Sequence, residues 1–148
     1  MINVFLQDYY TRLREWFRLK ESLADQNIST VCVEVDRFWQ RVPISTYYLH
    51  PDDIEDWPNP WELINDNNYC YYGRALGMVY TLLLLGVKDI DFVEALDDNR
   101  ENVVLVLVDN AKYVLNYYPN MVVNTKLESF DNIKHLDLTP LIKKIGEE

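Results

Sequence analysis

The sequence predicts an α+β fold in which helices come first and an antiparallel sheet follows. In residues 3–42 and 68–85 the apolar side chains recur every three or four positions, which is the period of a helix. From residue 92 to residue 118 they alternate or run together, as in half-buried and fully buried strands. The 148 residues suffice for a single domain. We expect a helical N-terminal part over residues 1–42 and a helix-plus-hairpin core over residues 60–125.

The first helix is predicted over residues 3–26, because its apolar residues share one face. Residues 30–42 begin with alternating valines, as a strand would, but a helical period accounts for more of their apolar residues. We therefore predict a second helix there, with Ser29 as its N-cap and Pro43 at its end.

Four prolines exclude long regular structure from residues 43–67. One short helical turn is predicted at Pro60, because proline suits the first helical position and Asn59 can cap it. The tail contains a similar signal, in which Thr139 caps a short final helix and Pro140 occupies its first position.

The central helix is predicted over residues 68–85 and begins near Cys70. It is apolar almost all the way round, so we expect it to be the most buried helix and to pack on the sheet. Gly86 should end it, since glycine adopts the left-handed conformation that commonly follows a helix.

The strands of the sheet follow the central helix. A turn at residues 97–100 joins the first two, and a tight hairpin turn at Asp109 and Asn110 joins the second to the third. The predicted strands cover residues 92–96, 103–108 and 112–118, and residues 121–123 resume the third one after Pro119.

The net charge of −10 argues against a sequence-independent grip on nucleic acid or an anionic membrane surface, since both require clustered Lys and Arg. It permits a basic protein partner. The acidic clusters at residues 52–56 and 97–101 are expected to be solvated loops.

Cysteine usage predicts a reduced, cytoplasmic protein. Cys32 and Cys70 are the two cysteines, and they form neither a CxxC motif nor a cluster with histidine. We therefore expect no disulfide framework, no metal site and no cofactor. The longest apolar run, residues 76–87, is shorter than the ~20 residues that a membrane-spanning helix needs.

Cys70 is the first candidate for catalysis. A cysteine in the first turn of a buried helix is well placed to act as a nucleophile, because the helix N-terminus favours the thiolate. Such a nucleophile also needs a base, and His50 and His135 are the two histidines of the chain. The alternative is that Cys70 is a small buried side chain with no chemical role.

The helix that opens with cysteine and the hairpin after it resemble the bacterial transglutaminase-like cysteine proteinases, which share the core of the papain-like folds. The similarity covers roughly residues 60–120. It is carried by the runs Cys70-Tyr71-Tyr72-Gly73-Arg74-Ala75, Leu85-Gly86, Asn102-Val103-Val104-Leu105-Val106-Leu107, Asp109-Asn110 and Tyr113-Val114-Leu115-Asn116.

The resemblance implies a site made of Cys70, a histidine at the start of the second strand, and an acidic residue that orients it. The position of the histidine is occupied here by Asn102 or Val103, and that of the acidic residue by Asn116. Because a cysteine hydrolase needs its base, we expect a non-catalytic member of the fold. If the chain is active, His50 or His135 would have to supply the base to Cys70, with Asn116 orienting the imidazole.

Residues 56–67, together with the stretches at residues 47–50 and 74–77, resemble small proteins of tailed bacteriophages. This resemblance implies a virion structural or assembly protein, found in the host cytoplasm or the virion, that binds other phage proteins or further copies of itself. Four aromatic residues are candidate interface anchors, with a place in the protein's own core as the alternative: Trp57, Trp61, Tyr117 and Tyr118. Two other functions stay open, a cysteine hydrolase or transferase that uses Cys70 and an acidic regulatory protein that binds a host target.

Overall fold

The computed structural model describes residues 3–46 and 48–146 and has the predicted α+β architecture, with most of its helices before its sheet. Its helices are α1 (Tyr9–Leu23), α2 (Ile28–Trp39), α3 (Pro60–Asp66), α4 (Tyr71–Leu84) and α5 (Thr139–Lys144). Its strands are β1 (Ile90–Leu96), β2 (Asn102–Val108), β3 (Tyr113–Leu115) and β4 (Asp131–His135). Short 3₁₀ helices cover Val4–Leu6, Pro51–Asp56 and Leu127–Ser129.

Both N-terminal helices form, but their boundaries differ from the predicted ones. The first helix was predicted over residues 3–26, whereas α1 covers Tyr9–Leu23 and is preceded by a separate 3₁₀ helix, Val4–Leu6. The N-cap of α2 is Asn27, whose side chain accepts the N–H of Thr30 at 2.8 Å, and the predicted cap Ser29 lies inside the first turn. The helix ends at Trp39, before the proline that was expected to end it.

The short helix α3 begins as predicted. The side chain of Asn59 accepts the N–H of Glu62, and the Glu62 carboxylate accepts the N–H of Asn59 in return. At the C-terminal end of the chain, by contrast, the cap prediction was wrong. Thr139 is the first residue of α5, the N-cap position is Leu138, and the carboxylate of Asp137 accepts the Thr139 N–H.

The central helix α4 is confirmed as the most buried of the three long helices. Nine of its 14 residues are buried, against six of 12 in α2 and three of 15 in α1. It starts directly after Cys70 and ends before Gly86, whose φ of +84° is the left-handed conformation expected there. It packs on α2 and on β2, so one hydrophobic core joins the helices to one face of the sheet. Leu82 is fully buried, and Leu83 and Leu84 are half-buried.

The sheet has the order β3-β2-β1-β4 and is antiparallel throughout. In the β1–β2 hairpin Ile90 lies opposite Val108 and Leu96 lies opposite Asn102. Phe92, Val104 and Val106 face the helices, and a second apolar cluster, which includes Phe130, covers the other face.

The hairpin between β2 and β3 turns at Asp109 and Asn110 as predicted, but the loop spans residues 109–112 and Ala111 also has a positive φ. The strand predicted over residues 112–118 is shorter, because Asn116 adopts a φ of +68° and redirects the chain. Residues 121–123 are not a strand, although the carbonyl of Val122 accepts the Val114 N–H.

Strand β4 was not predicted. Ile133 is its one half-buried residue and the other four are exposed, so the sequence lacks the apolar alternation of a strand. It pairs with β1 at the edge of the sheet through backbone hydrogen bonds.

Candidate functional site

A cleft of about 660 Å³ opens where the N-terminus of α4 meets the first residues of β2 and the segment that follows β3. It contains the positions that the resemblance assigns to a cysteine-proteinase site. Tyrosines and carboxylates make up much of its wall. The lining residues are Tyr48, Pro51, Cys70, Tyr71, Tyr72, Arg74, Glu94, Asp97, Glu101, Asn102, Val103, Val104, Asn116, Tyr117 and Tyr118.

Cys70 lies at the N-cap of α4 and is 6% exposed. Its Sγ accepts the backbone N–H of Leu49 at 3.3 Å, which ties the loop before the second 3₁₀ helix to the start of α4. The cysteine is therefore at the cleft, but most of its surface is covered by protein. Cys32 is fully buried in α2, where burial raises the pKa of its thiol to about 12.

The position expected to hold a base is at the cleft but carries no imidazole. Asn102 and Val103 line it as the first two residues of β2. Within the described residues, neither histidine lines the cleft and neither imidazole forms a hydrogen bond with Cys70.

The two histidines have partners elsewhere. The Nδ1 atom of His50 accepts the Asp52 N–H at 3.2 Å, and the imidazole packs edge-on against Tyr48. His135 lies on β4, with its Nδ1 atom 3.7 Å from a carboxylate oxygen of Asp91. His50 is close in sequence to two lining residues of the cleft, but its own side chain is engaged with Asp52.

Asn116 is buried and holds the floor of the cleft together. Its Nδ2 group donates to the carbonyl oxygens of Tyr71 and Val104, at 3.2 and 2.8 Å. Its Oδ1 atom accepts the Nε–H of Arg74 at 2.6 Å, and its backbone N–H donates to Asp36 at 2.9 Å. The side-chain amide that would orient an imidazole thus joins α4 to β2, and the backbone N–H of the same residue adds a bond to α2.

Asp36 and Arg74 both form hydrogen bonds with Asn116, and burial shifts the pKa of each. Burial raises the pKa of the Asp36 carboxyl, although hydrogen bonds from Asn116 and Gln40 and the charge of Arg74 oppose the shift. Burial also lowers the pKa of the Arg74 guanidinium, against the effect of Asp36. The guanidinium lies over the ring of Tyr71, 5.1 Å from its centroid.

Tyrosines form two pairs in the cleft wall. The rings of Tyr48 and Tyr72 are 5.7 Å apart, and those of Tyr117 and Tyr118 are 4.4 Å apart. Burial, with the neighbouring Glu94 carboxylate, raises the pKa of the Tyr72 phenol.

Asp97 fixes the second tyrosine pair and the turn between β1 and β2. It is 1% exposed, so it is not part of a solvated acidic loop as predicted. Its Oδ1 atom accepts the N–H groups of Asn99 and Glu101, and its Oδ2 atom accepts the hydroxyl of Tyr117 at 3.3 Å. Burial and the charge of Asp97 raise the pKa of Tyr117 to about 12.

The four candidate interface anchors lie in different places. Trp57 is 2% exposed, and its indole N–H donates to the carbonyl of His50. Trp61 is half-buried against Trp16. Tyr117 is half-buried in the cleft wall, and Tyr118 is 53% exposed at its edge. The two tyrosines are thus at the cleft, whereas Trp57 is a core residue.

Several residues of the cleft were not singled out from the sequence as site residues. Glu94 lies within β1 and Arg74 within α4, and the sequence pattern of these elements does not mark either residue as part of a site. The run Tyr69-Cys70-Tyr71-Tyr72 was a usable signal, since three tyrosines around the cysteine place rings on more than one side of the helix start.

Comparison with models of known protein families, with curated proteins and with solved structures finds no match to this chain. Among the described residues, no group of three or more His, Cys, Asp or Glu side chains is arranged to hold a metal ion. No helix in the described part of the chain is long and apolar enough to cross a membrane.

Proposed function

We propose that this protein is a non-catalytic binding protein that docks another protein at the cleft beside Cys70. The observation that carries the proposal is the hydrogen bond between Asn116 Oδ1 and Arg74 Nε, at 2.6 Å. It commits the amide of Asn116 to a structural arginine at the place where a cysteine hydrolase holds its imidazole. With Asn102 and Val103 at the position that the resemblance assigns to the base, the cleft lacks the imidazole that a cysteine hydrolase needs.

The wall of the cleft supports a binding role. Five of the described tyrosines line it, and tyrosine is enriched at protein interfaces because it combines a large ring with a polar hydroxyl. The setting that we propose for this binding is the assembly or structure of a tailed-phage particle, which is the expectation drawn from residues 56–67.

The proposal is tested by comparing two variants in the genome that encodes the chain. Cys70→Ala removes the thiol, and the double variant Tyr71→Ser, Tyr118→Ser removes two exposed rings at the cleft. We expect particle yield to be kept by Cys70→Ala and reduced by the tyrosine variant. Circular dichroism and thermal unfolding of the purified variants establish that both are folded. Loss of yield in a folded Cys70→Ala protein, with the tyrosine variant unaffected, would contradict the proposal.

A cysteine hydrolase or transferase is the second candidate function. It is favoured by one observation, that Cys70 lines the cleft at the N-terminus of α4. The rate at which Cys70 is labelled in the folded protein, together with assays for turnover, decides between the two.

A further inference from the structure

Three exposed tyrosines surround the cleft. Tyr48, Tyr71 and Tyr118 are 57%, 58% and 53% exposed, although each contributes to the cleft wall. They come from three separate parts of the chain: the loop after α2, the first residue of α4 and the segment after β3. Exposed rings that converge on one concave surface mark a contact surface for a partner.

The charge of the cleft selects the occupant. Glu94, Asp97 and Glu101 contribute carboxylates to its wall, and within the described residues none of the three forms an ion pair. Both Asp97 oxygens already accept hydrogen bonds from the protein, so this residue shapes the wall. Glu94 is half-buried and has one hydrogen bond with the Tyr72 side chain, and Glu101 is exposed. A carboxylate has about four acceptor sites, so both groups can still receive a ligand.

Among the described residues that line the cleft, Arg74 carries the one positive side chain. Its Nε–H is bonded to Asn116, its guanidinium lies over the ring of Tyr71, and Asp36 provides a negative charge behind it. Because these groups hold Arg74 in the floor, it does not neutralise Glu94 and Glu101 at the wall.

We propose that the cleft binds a lysine or arginine side chain on an exposed segment of a basic partner protein. A cationic group between tyrosine rings gains a cation–π attraction, and Glu94 and Glu101 supply charge-assisted hydrogen bonds. The net charge of −10 draws a basic partner to the protein before contact. This inference rests on the proposed function, since it names the chemistry of the partner that docks at the cleft.

The test is a titration of the ¹⁵N-labelled full chain with three synthetic peptides, followed by NMR. The peptides are acetyl-Gly-Ser-X-Ser-Gly-amide, where X is arginine, lysine or norleucine, and spermidine serves as a non-peptide cation. We expect saturable shifts of the Tyr71, Asn102 and Tyr118 amide signals with the arginine and lysine peptides, weaker at higher salt, and no saturable shift with norleucine. Spermidine should bind more weakly than either cationic peptide, since it lacks a backbone.

Two double variants with the same change of charge provide the control. Glu94→Gln, Glu101→Gln alters the cleft and should raise the apparent dissociation constant of the arginine peptide at least about tenfold. Glu21→Gln, Asp25→Asn removes two exposed charges at the end of α1 and beyond, and should leave that constant nearly unchanged.

The inference is overturned if the cationic peptides do not shift the cleft signals, if both double variants weaken binding equally, or if spermidine binds more tightly than the peptides. If the norleucine peptide binds at the cleft as tightly as the cationic peptides, the inference is also overturned. The cleft would still be a docking site in that case, so the proposed function would stand. Failure of the proposed function itself is read separately, from the comparison of Cys70→Ala with the tyrosine variant.

Discussion

Thr81 joins two tryptophans in the middle of the helical core. Its Oγ1 atom accepts the indole N–H groups of Trp16 and Trp39, at 2.9 and 3.0 Å, and donates to the carbonyl of Gly77 at 2.7 Å. All three side chains are buried, so no water replaces these bonds. One hydroxyl thus fixes α1 and α2 against α4.

Replacing Thr81 by valine keeps the shape of the side chain and leaves two buried indole N–H groups without an acceptor. Each unsatisfied buried donor costs about 1–3 kcal/mol, so we expect Thr81→Val to lower the free energy of unfolding by about 2–5 kcal/mol. Chemical denaturation measures the change. Thr81→Ser, which keeps the hydroxyl, is the control, and an equal loss in both variants would show that the methyl group matters more than the hydrogen bonds.

Asp36 gives the protein a predictable response to pH. Because burial raises the pKa of its carboxyl in the folded state, Asp36 takes up a proton more readily there than in the unfolded chain. The stability linked to this difference is present at low pH and is lost as the pH rises through the raised pKa. The oxygen that accepts the Asn116 N–H would remain in an asparagine.

We therefore expect the difference in melting temperature, Asp36→Asn minus the unmodified protein, to be larger at pH 7 than at pH 4.5. At the lower pH more of the wild-type carboxyl is protonated, so the two side chains become alike. Thermal unfolding across this range measures the difference. A difference that stays constant or grows toward acid would mean that the hydrogen bonds to Asp36 and the nearby charge of Arg74 outweigh the cost of burial.

At the scale of elements, the close contact between α4 and α2 depends on a glycine, Gly77, which has no side chain. A Cβ atom added at Gly77 would lie 2.4 Å from the ring of Trp39, well inside contact distance. At Gly73, one turn earlier in the same helix, the nearest atom would be 3.6 Å away, which is ordinary contact.

These two glycines form a matched pair for measurement. We expect Gly77→Ala to lower the free energy of unfolding by about 1–3 kcal/mol or more, because the indole of Trp39 must move in a packed core. Gly73→Ala should be neutral or stabilise by up to about 1 kcal/mol, since alanine favours the helix. Equal tolerance of both changes would show that α2 can move away from α4 at little cost.

Elements with a strong apolar period were predictable from the sequence, and those held by single polar groups were not. Helices α1, α2 and α4 and strands β1 and β2 follow their hydrophobic patterns closely. Strand β3 ends early because Asn116 adopts a positive φ, and β4 is nearly all exposed. Neither the end of β3 nor the position of β4 can be recognised from the spacing of apolar residues.

The same limit applies to the candidate site. The sequence placed Cys70, Asn102 and Asn116 together by resemblance, and the structure brings all three to one cleft. It did not predict that Arg74 would bond to Asn116, because a hydrogen bond between residues 42 positions apart depends on the finished packing. It also did not predict that Asp97 would be buried.

At the scale of the whole molecule, the cleft is where the helical layer and the sheet meet. Asn116 links the two layers at this point. Its bonds to Asp36, Tyr71, Val104 and Arg74 connect α2, α4 and β2. A site whose floor is tied in this way is rigid, and rigidity favours binding because little ordering is left to occur on contact.

The central claim is that the cleft binds and does not catalyse, and the reactivity of Cys70 tests it most directly. The purified protein and Cys70→Ala are treated at neutral pH with iodoacetamide, and labelling of each cysteine is followed by mass spectrometry. A set of amide and ester substrates is assayed in parallel. We expect slow labelling of Cys70 that becomes fast only in denaturant, and no turnover by either protein. Rapid, selective labelling of Cys70 in the folded protein, with turnover that Cys70→Ala abolishes, would contradict the account.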